Sequence, residues 1–385
     1  MTSPSRLPAL LFGLATLLSA TAHGDILDIF RSDALTNGSQ YAFAPSKNHN
    51  MIVAIDTLDN EVVAELSISH IAHNVIASDD LDLLIATNLE NESATVINLY
   101  TREVIKILDI GMRPDTALLN PFDRFVAFGS NDGSVSVWDM SSFQQMLRID
   151  GLSSATSMTF GFDGRNLYVV EAEEKRISVI EMHSRKKVAE IFLGGEEDVN
   201  AQVSALSRSA DGYTGYVSVT SENRIVVIDL ISWEIKASVA VGKGPIRTYS
   251  TADNRYVLVP NRDDQTLTVL SALSHQVIAT IPTGIDARAI NTGWLDTVAF
   301  IMPATGDEVA VIDLRELKQK DPIKLPGRTD DGLVTSDSKT LLASVVDTGQ
   351  IAAISAKSLV LEALIDSSAS TIHGIEIAVS NNVCH

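Results

Sequence analysis

One short phrase, repeated eight times, constrains this chain more than any other feature. Alternating apolar residues close on an acidic or small polar one: Ile52 to Asp56, Ala94 to Asn98, Val135 to Asp139, Ile177 to Glu181, Ile225 to Asp229, Leu267 to Ser271, Val309 to Asp313 and Ile351 to Ser355. Successive closing residues are 42, 41, 42, 48, 42, 42 and 42 positions apart. Alternation with period two marks a strand. A repeat of about 40 to 45 residues containing several short strands marks a propeller blade. Each unit reads as four strands: an inner one, a second, the repeated phrase, and an outer one mixing Val, Ile and Leu with Lys, Glu and Arg. In the sixth unit these are 246–250, 255–260, 266–270 and 276–281. Asp163-Gly164, Asp211-Gly212, Asn131-Asp132-Gly133 and Asp253-Asn254 supply the turn chemistry between them.

The two ends of the repeat complement each other. Tyr41 to Leu66 provides three strands and lacks the inner one, whereas His373 to Ser380 provides an inner strand with nothing after it. Pairing them completes one more blade. The expected fold is therefore all-β: an eight-bladed β-propeller of four-stranded blades, closed by the C-terminal strand joining the N-terminal blade, over residues 41–385. Residues 23–40 read as a leader, and residues 1–22 as a signal peptide, with Arg6, the apolar run Leu7 to Leu18 and the small-residue site Ala20-Thr21-Ala22. That run is short for a bilayer, so the mature chain is expected to have no membrane span and to be periplasmic or secreted; an uncleaved anchor is the alternative. The extra residues in the 48-residue step fall near Gly194 to Asn200 and read as an acidic surface loop.

A formal charge of −20 argues against nucleic acid as a partner, since phosphate binding needs clustered Lys and Arg. It suits solubility, and leaves room for a basic redox partner such as a c-type cytochrome. The single cysteine, Cys384, allows no internal disulfide, and the absence of C-x-x-C-H rules out covalent c-type haem on this chain. No P-loop, Rossmann glycine pattern, G-x-S-x-G or H-E-x-x-H is present, and the chain is not expected to be an enzyme by itself.

In a propeller, the loop from one outer strand to the next inner strand lines the channel mouth. Positions 24 or 25 residues before each closing residue form a ring there: His73 and Asn74, Asp115, Ser157, Ser204, Arg247, Arg288, Asp331 and His373. His73 and His373 hold nearly the same place in their repeats, and ring closure makes their blades neighbours. Two imidazoles there can ligate a metal, donate to an anionic ligand or shuttle protons; equally, each can cap a strand. Arg113, Arg247 and Arg288 sit at or beside the rim, where guanidinium forks bind carboxylates or pair with Asp115, Asp330 and Asp331. The His70-x-x-His73 spacing is a weak metal signal in a loop. Cys384-His385 ends the chain as a further metal or haem candidate, or as a frayed tail.

With the repeats laid out, residues 41 to 380 resemble the exported YVTN-type propellers. The phrases Ile55 to Glu65 and Val227 to Lys236, followed by Gly242 to Pro245, carry that likeness. Eight blades narrow it to the haem d1 domain of cytochrome cd-type nitrite reductases and the related propellers that act in maturing that cofactor. The resemblance implies a haem, haem d1 or other tetrapyrrole met by histidines and arginines at the channel mouth, with His73, His373 and Arg247 in comparable positions. It implies an accessory or maturation protein for a redox system. Two alternatives stand beside it: a supporting subunit of a periplasmic oxidoreductase, and a ligand-free interaction scaffold.

Overall fold

The repeated phrase is the third strand of every blade. In the computed structural model, which describes residues 35, 40–78, 80–194, 202–329, 331–366 and 376–377, eight four-stranded antiparallel sheets follow one another. Blade 2 is typical, with Val75–Ser78 inside, then Leu83–Asn88, Ser93–Asn98 and, outermost, Glu103–Asp109. In blade 1, Tyr41–Pro45, Met51–Asp56 and Glu61–Ser67 are joined on the inner side by Glu376–Ile377, with Ala42 opposite Ile377 and Phe43 opposite Glu376. The remainder of the expected strand from His373 to Ser380 lies outside the described residues, as do the signal segment and most of the leader.

Burial falls off radially. Second and third strands are covered on both faces by neighbouring blades, so Leu83 to Asn88 is buried at every position, while outer strands such as Lys318–Lys324 are almost wholly exposed. Side chains of adjacent blades interlock in layers. Phe300, Val309 and Val311 of blade 7, for example, meet Leu341, Ala352 and Ile354 of blade 8. One leader residue joins this core: Leu35 packs with Phe43, Leu84 and Leu99, and its N–H donates to the Leu99 carbonyl.

The closing residue of the phrase has a structural task. Asp56, Asn98, Asp139, Glu181, Asp229, Ser271, Asp313 and Ser355 all accept backbone N–H groups of the turn that follows, as in Ile231 and Ser232 on Asp229. Each of those turns ends on a left-handed residue: Asn60, Arg102, Phe143, Arg185, Trp233, His275, Leu317 or Leu359. Every outer strand also carries a register irregularity. In seven blades it falls just before the closing residue, for example between Ala54 and Ile55 or Val227 and Ile228; in blade 7 it lies at Val309/Val311. Such bulges tighten the local twist.

Inner strands are stitched to the following blade by side chains. Thr159 donates to the Leu206 carbonyl, Ser207 to that of Thr248, Asn291 to that of Gly332, and Ser78 to the Asp123 carboxylate. The meander also sorts the loops into two ends. Outer-to-inner loops and second-to-third turns share the rim end, while inner-to-second and third-to-outer turns share the opposite, turn end. In blade 6 the inner strand is shorter than expected, Tyr249–Ser250, because the ladder lapses at Arg247 and Thr248 before the Ile246 N–H resumes bonding at Pro260.

Candidate binding rim

The rim residues are fixed through their backbones. His73 N–H donates to the Thr87 carbonyl at 2.8 Å, and Thr87 N–H returns to Asn74 at 2.9 Å, which pins the loop to the end of the second strand of blade 2. The His73 ring is exposed and makes no hydrogen bond among the described residues. His70 sits half-buried with Nδ1 2.8 Å from the Ser69 hydroxyl.

Counted from the residue that opens each inner hairpin, the expected ring divides into two registers. His73, Asp115, Ser204 and Arg288 stand five places before Ser78, Asn120, Ser209 and Gly293; Asn74, Ser157, Arg247 and Asp331 stand four places before Ser78, Gly161, Thr251 and Thr335. Neighbouring residues of an extended chain project to opposite sides. Thr159, Ser207 and Asn291, which share the parity of the second group, all reach the following blade, whereas Thr292, of the other parity, reaches back to Tyr249. Arg247 of blade 6 shares the count of the second group but lies where the ladder lapses, ahead of Tyr249–Ser250. Arg288 of blade 7 is the extra residue of the bulge between Ala287 and Ala289, so the alternation does not extend to its side chain.

The arginines differ in what they already hold. Arg113 donates through Nε to Asp115 at 2.7 Å, and Asp115 also accepts the Asn131 N–H, so this pair is the internal ion pair that was one of the two alternatives. Arg328, which the sequence reading did not single out, forks onto Asp347 at 2.7 and 3.0 Å. Arg247 and Arg288 are exposed, and among the described residues neither has an ion pair. A second charged group lies on the same end between blades 4 and 5. Fully buried Glu171 accepts from Arg176, the Ser178 hydroxyl and the Ser153 N–H, and beside it Lys175 and Arg224 both grip Glu222 at 2.6 Å. Burial pushes the Glu171 carboxyl up, but the donors from Arg176, Ser178 and Ser153 outweigh it and hold it below the ordinary glutamate range. The run Glu171 to Arg176 was the available sequence signal for this cluster.

His373, Cys384, His385 and Asp330 lie outside the described residues, as does the insertion beyond Gly194. Among the described residues no group of three His, Cys, Asp or Glu is placed to hold a metal ion. A cleft of about 410 Å³ lined by Gly242, Asp264, Thr266, Thr268 and Thr280 opens on the flank of blades 5 and 6, away from the inner strands.

No protein-family model matches the sequence. Among solved structures, the chain is similar to the dihydro-haem d1 dehydrogenase NirN in complex with DHE, with a TM-score of 0.75 and 16% identity over 90% of this chain and 76% of that one. It is also similar to Kuenenia stuttgartiensis hydrazine synthase, with a TM-score of 0.56 and 17% identity over 74% of this chain and 95% of the other. The propeller domain of Myceliophteria thermophila Cps50 (Swd1) matches with a TM-score of 0.59 at 13% identity. At these identities the likeness establishes the fold, an eight-bladed propeller like that of the haem d1 proteins.

Proposed function

We propose that this chain is an exported, periplasmic propeller that holds a carboxylate-bearing tetrapyrrole at its rim and serves a redox system as an accessory or maturation protein. The observation that carries this reading is the pair Arg247 and Arg288, two exposed guanidinium groups at the rim ends of adjacent blades that have no ion pair among the described residues, in a chain of net charge −20. An acidic protein has carboxylates to spare, so cations left unpaired on one rim favour a ligand that brings its own acid groups. Of the described imidazoles on this end, His73, whose ring makes no hydrogen bond among the described residues, suits an iron or another metal better than His70, which is bonded to Ser69. Ile377 stands opposite Ala42 as Ala77 stands opposite Leu84, and His373 precedes Ile377 by as many positions as His73 precedes Ala77. That match supports a shared role for the two histidines, and the Cys384-His385 tail remains a lesser metal candidate. The ligand in the similar NirN structure supports the choice of a haem d1-type group.

The test is titration of the purified chain with haem and with haem d1, read by absorbance. Binding is expected to weaken about 10- to 100-fold in an Arg247→Ala, Arg288→Ala double variant, which removes two charge-assisted contacts of about 1.5–3 kcal/mol each before compensation. Loss of the ligand's Soret shift is expected in His73→Ala if that ring reaches the iron. No spectral change with either ligand would end the tetrapyrrole reading. Hydrazine synthase among the similar structures favours a second reading, a supporting subunit of a redox complex, which co-purification of a haem-bearing partner from the native source would reveal. Export is tested by fractionation and by an N-terminus at His23.

A further inference from the structure

Large apolar side chains stand exposed on several outer strands, and among the described ones the outer strand of blade 2 carries the most. Val104, Ile105 and Ile107 of Glu103–Asp109 are 41, 45 and 49% exposed. The register fixes which way two of them turn. Val104 pairs with Ile97 and Ile107 with Thr95, and Ile97 packs with Phe43, Ile52 and Leu66 of blade 1. Paired residues share a face of a sheet. Val104 and Ile107 therefore turn toward blade 1, where Val63 and Ala64 lie half-buried against the same cluster. The result is an apolar strip in the flank between the two blades. Ile105 is the extra residue of the bulge, so a partner here meets side chains rather than an unbroken backbone ladder.

The charge around this strip is one-sided. Residues 41–110, which make up blades 1 and 2, contain eleven Asp or Glu and three Lys or Arg, whereas residues 202–329, blades 5 to 7, contain fourteen and thirteen. Glu61 pairs with Asp56 and Asp109 with Ser93, which sets both on the side of the strip, one toward each end of it. Both are exposed, and among the described residues neither has an ion pair. Lys106, the one base of the strand, pairs with Val96 and turns toward blade 3. Blade 4 makes the contrast: there Val188 and Phe192 are exposed on the outer strand, but Glu190 is already taken by Lys187 and Arg176.

An apolar centre within a charged surround is the anatomy of a protein interface, and the sign of the surround selects the partner. A second copy of this chain brings the same acids against these, and an anionic lipid or nucleic acid is repelled in the same way. A basic protein is drawn in at long range and offers cations to the open carboxylates at contact.

We propose that the flank between blades 1 and 2 is a docking face for a basic protein, with Val104 and Ile107 at the centre of the contact and Glu61 and Asp109 at its edge. The inference does not rest on the ligand at the rim, since the strip belongs to outer strands and Arg247 and Arg288 lie beside the inner strands of blades 6 and 7. The test is photo-cross-linking of the full chain in an extract of the native source, with benzoylphenylalanine in place of Ile107 and, as comparison, in place of Ile278 on the outer strand of blade 6. The captured protein is identified by mass, purified and titrated against the parent chain. The substitution at Ile107, and not that at Ile278, is expected to capture a protein of pI above about 9. Its binding is expected to weaken as salt rises, to fall about tenfold or more in a Val104→Ser, Ile107→Ser variant, and to lose part of its salt dependence in a Glu61→Gln, Asp109→Asn variant. These positions are exposed, so both variants keep their fold, checked by an unchanged melting curve. No capture from Ile107, capture of an acidic protein, of a second copy or of this chain's own leader or tail, or a purified basic protein whose binding neither variant alters, would overturn the proposal.

Discussion

At the scale of single residues, the acidic ends of the repeated phrase are turn caps, and each can be assigned a cost. Lys236 and the Ser232 and Ile231 N–H groups hold the Asp229 carboxyl well below the usual range, at about 2. Asp229→Ala should cost about 1–2 kcal/mol, the value of a lost cap, as a lowered urea midpoint with an unchanged slope. Glu171 stands apart because it is fully buried. Glu171→Ala strands the Ser178 and Ser153 donors while Glu174 and Glu190 still pair with Arg176, and should cost about 1–3 kcal/mol in the same measurement. The exposed Arg113–Asp115 pair should show less than about 1 kcal/mol when Arg113 is replaced by Ala. The sequence showed these caps as punctuation because they recur at one position. It did not show which rim arginines were already paired, since Arg113 and Arg328 find Asp115 and Asp347 through loop geometry, 2 and 19 positions away respectively.

At the scale of elements, the blades were legible because the core needs the same strand four times over in every unit, and the period survives whatever the surface does. The rim ring was only half legible. Counting back from the closing residue crosses two hairpins, and in blade 3 the first one crossed, between second and third strands, is one residue shorter: Phe125 faces Asp139, where in blade 2 Leu83 faces Asn98. A slip of one place exchanges the sides of a strand, so Asp115, counted 24 places back like Ser157, falls in the other register. Two elements invite direct tests. Leu35→Ala removes a side chain 1% exposed between blades 1 and 2, and should lower stability by about 2–5 kcal/mol in chemical denaturation. Gly212 takes φ +77° with the Phe162 Cβ 2.4 Å and its ring 2.6 Å from an added Cβ, so Gly212→Ala should destabilise the blade 4–5 contact more than a surface substitution would.

At the scale of the whole molecule, the depressed carboxylates act together. For Asp139 and Asp313 burial pushes the pKa up and the hydrogen bonds more than offset it, as they do for Glu171; for Asp229 the Lys236 contact leads. A carboxyl with a lowered folded pKa contributes stability that is complete above its unfolded value, about 4, and is lost as pH falls through the folded value. The melting temperature should therefore hold from about pH 7 to 5 and drop steeply between about pH 4 and 2, a slope that Asp229→Asn should flatten. The bulge carried by each outer strand has its own consequence at this scale. A ring of blades offers strand edges all around its circumference, each able to recruit the edge of another molecule and begin a fibre. The irregular register in every outer strand breaks the straight run of free N–H and C=O groups that such recruitment needs. The bulges thereby blunt the outer edges against strand-to-strand recruitment between molecules.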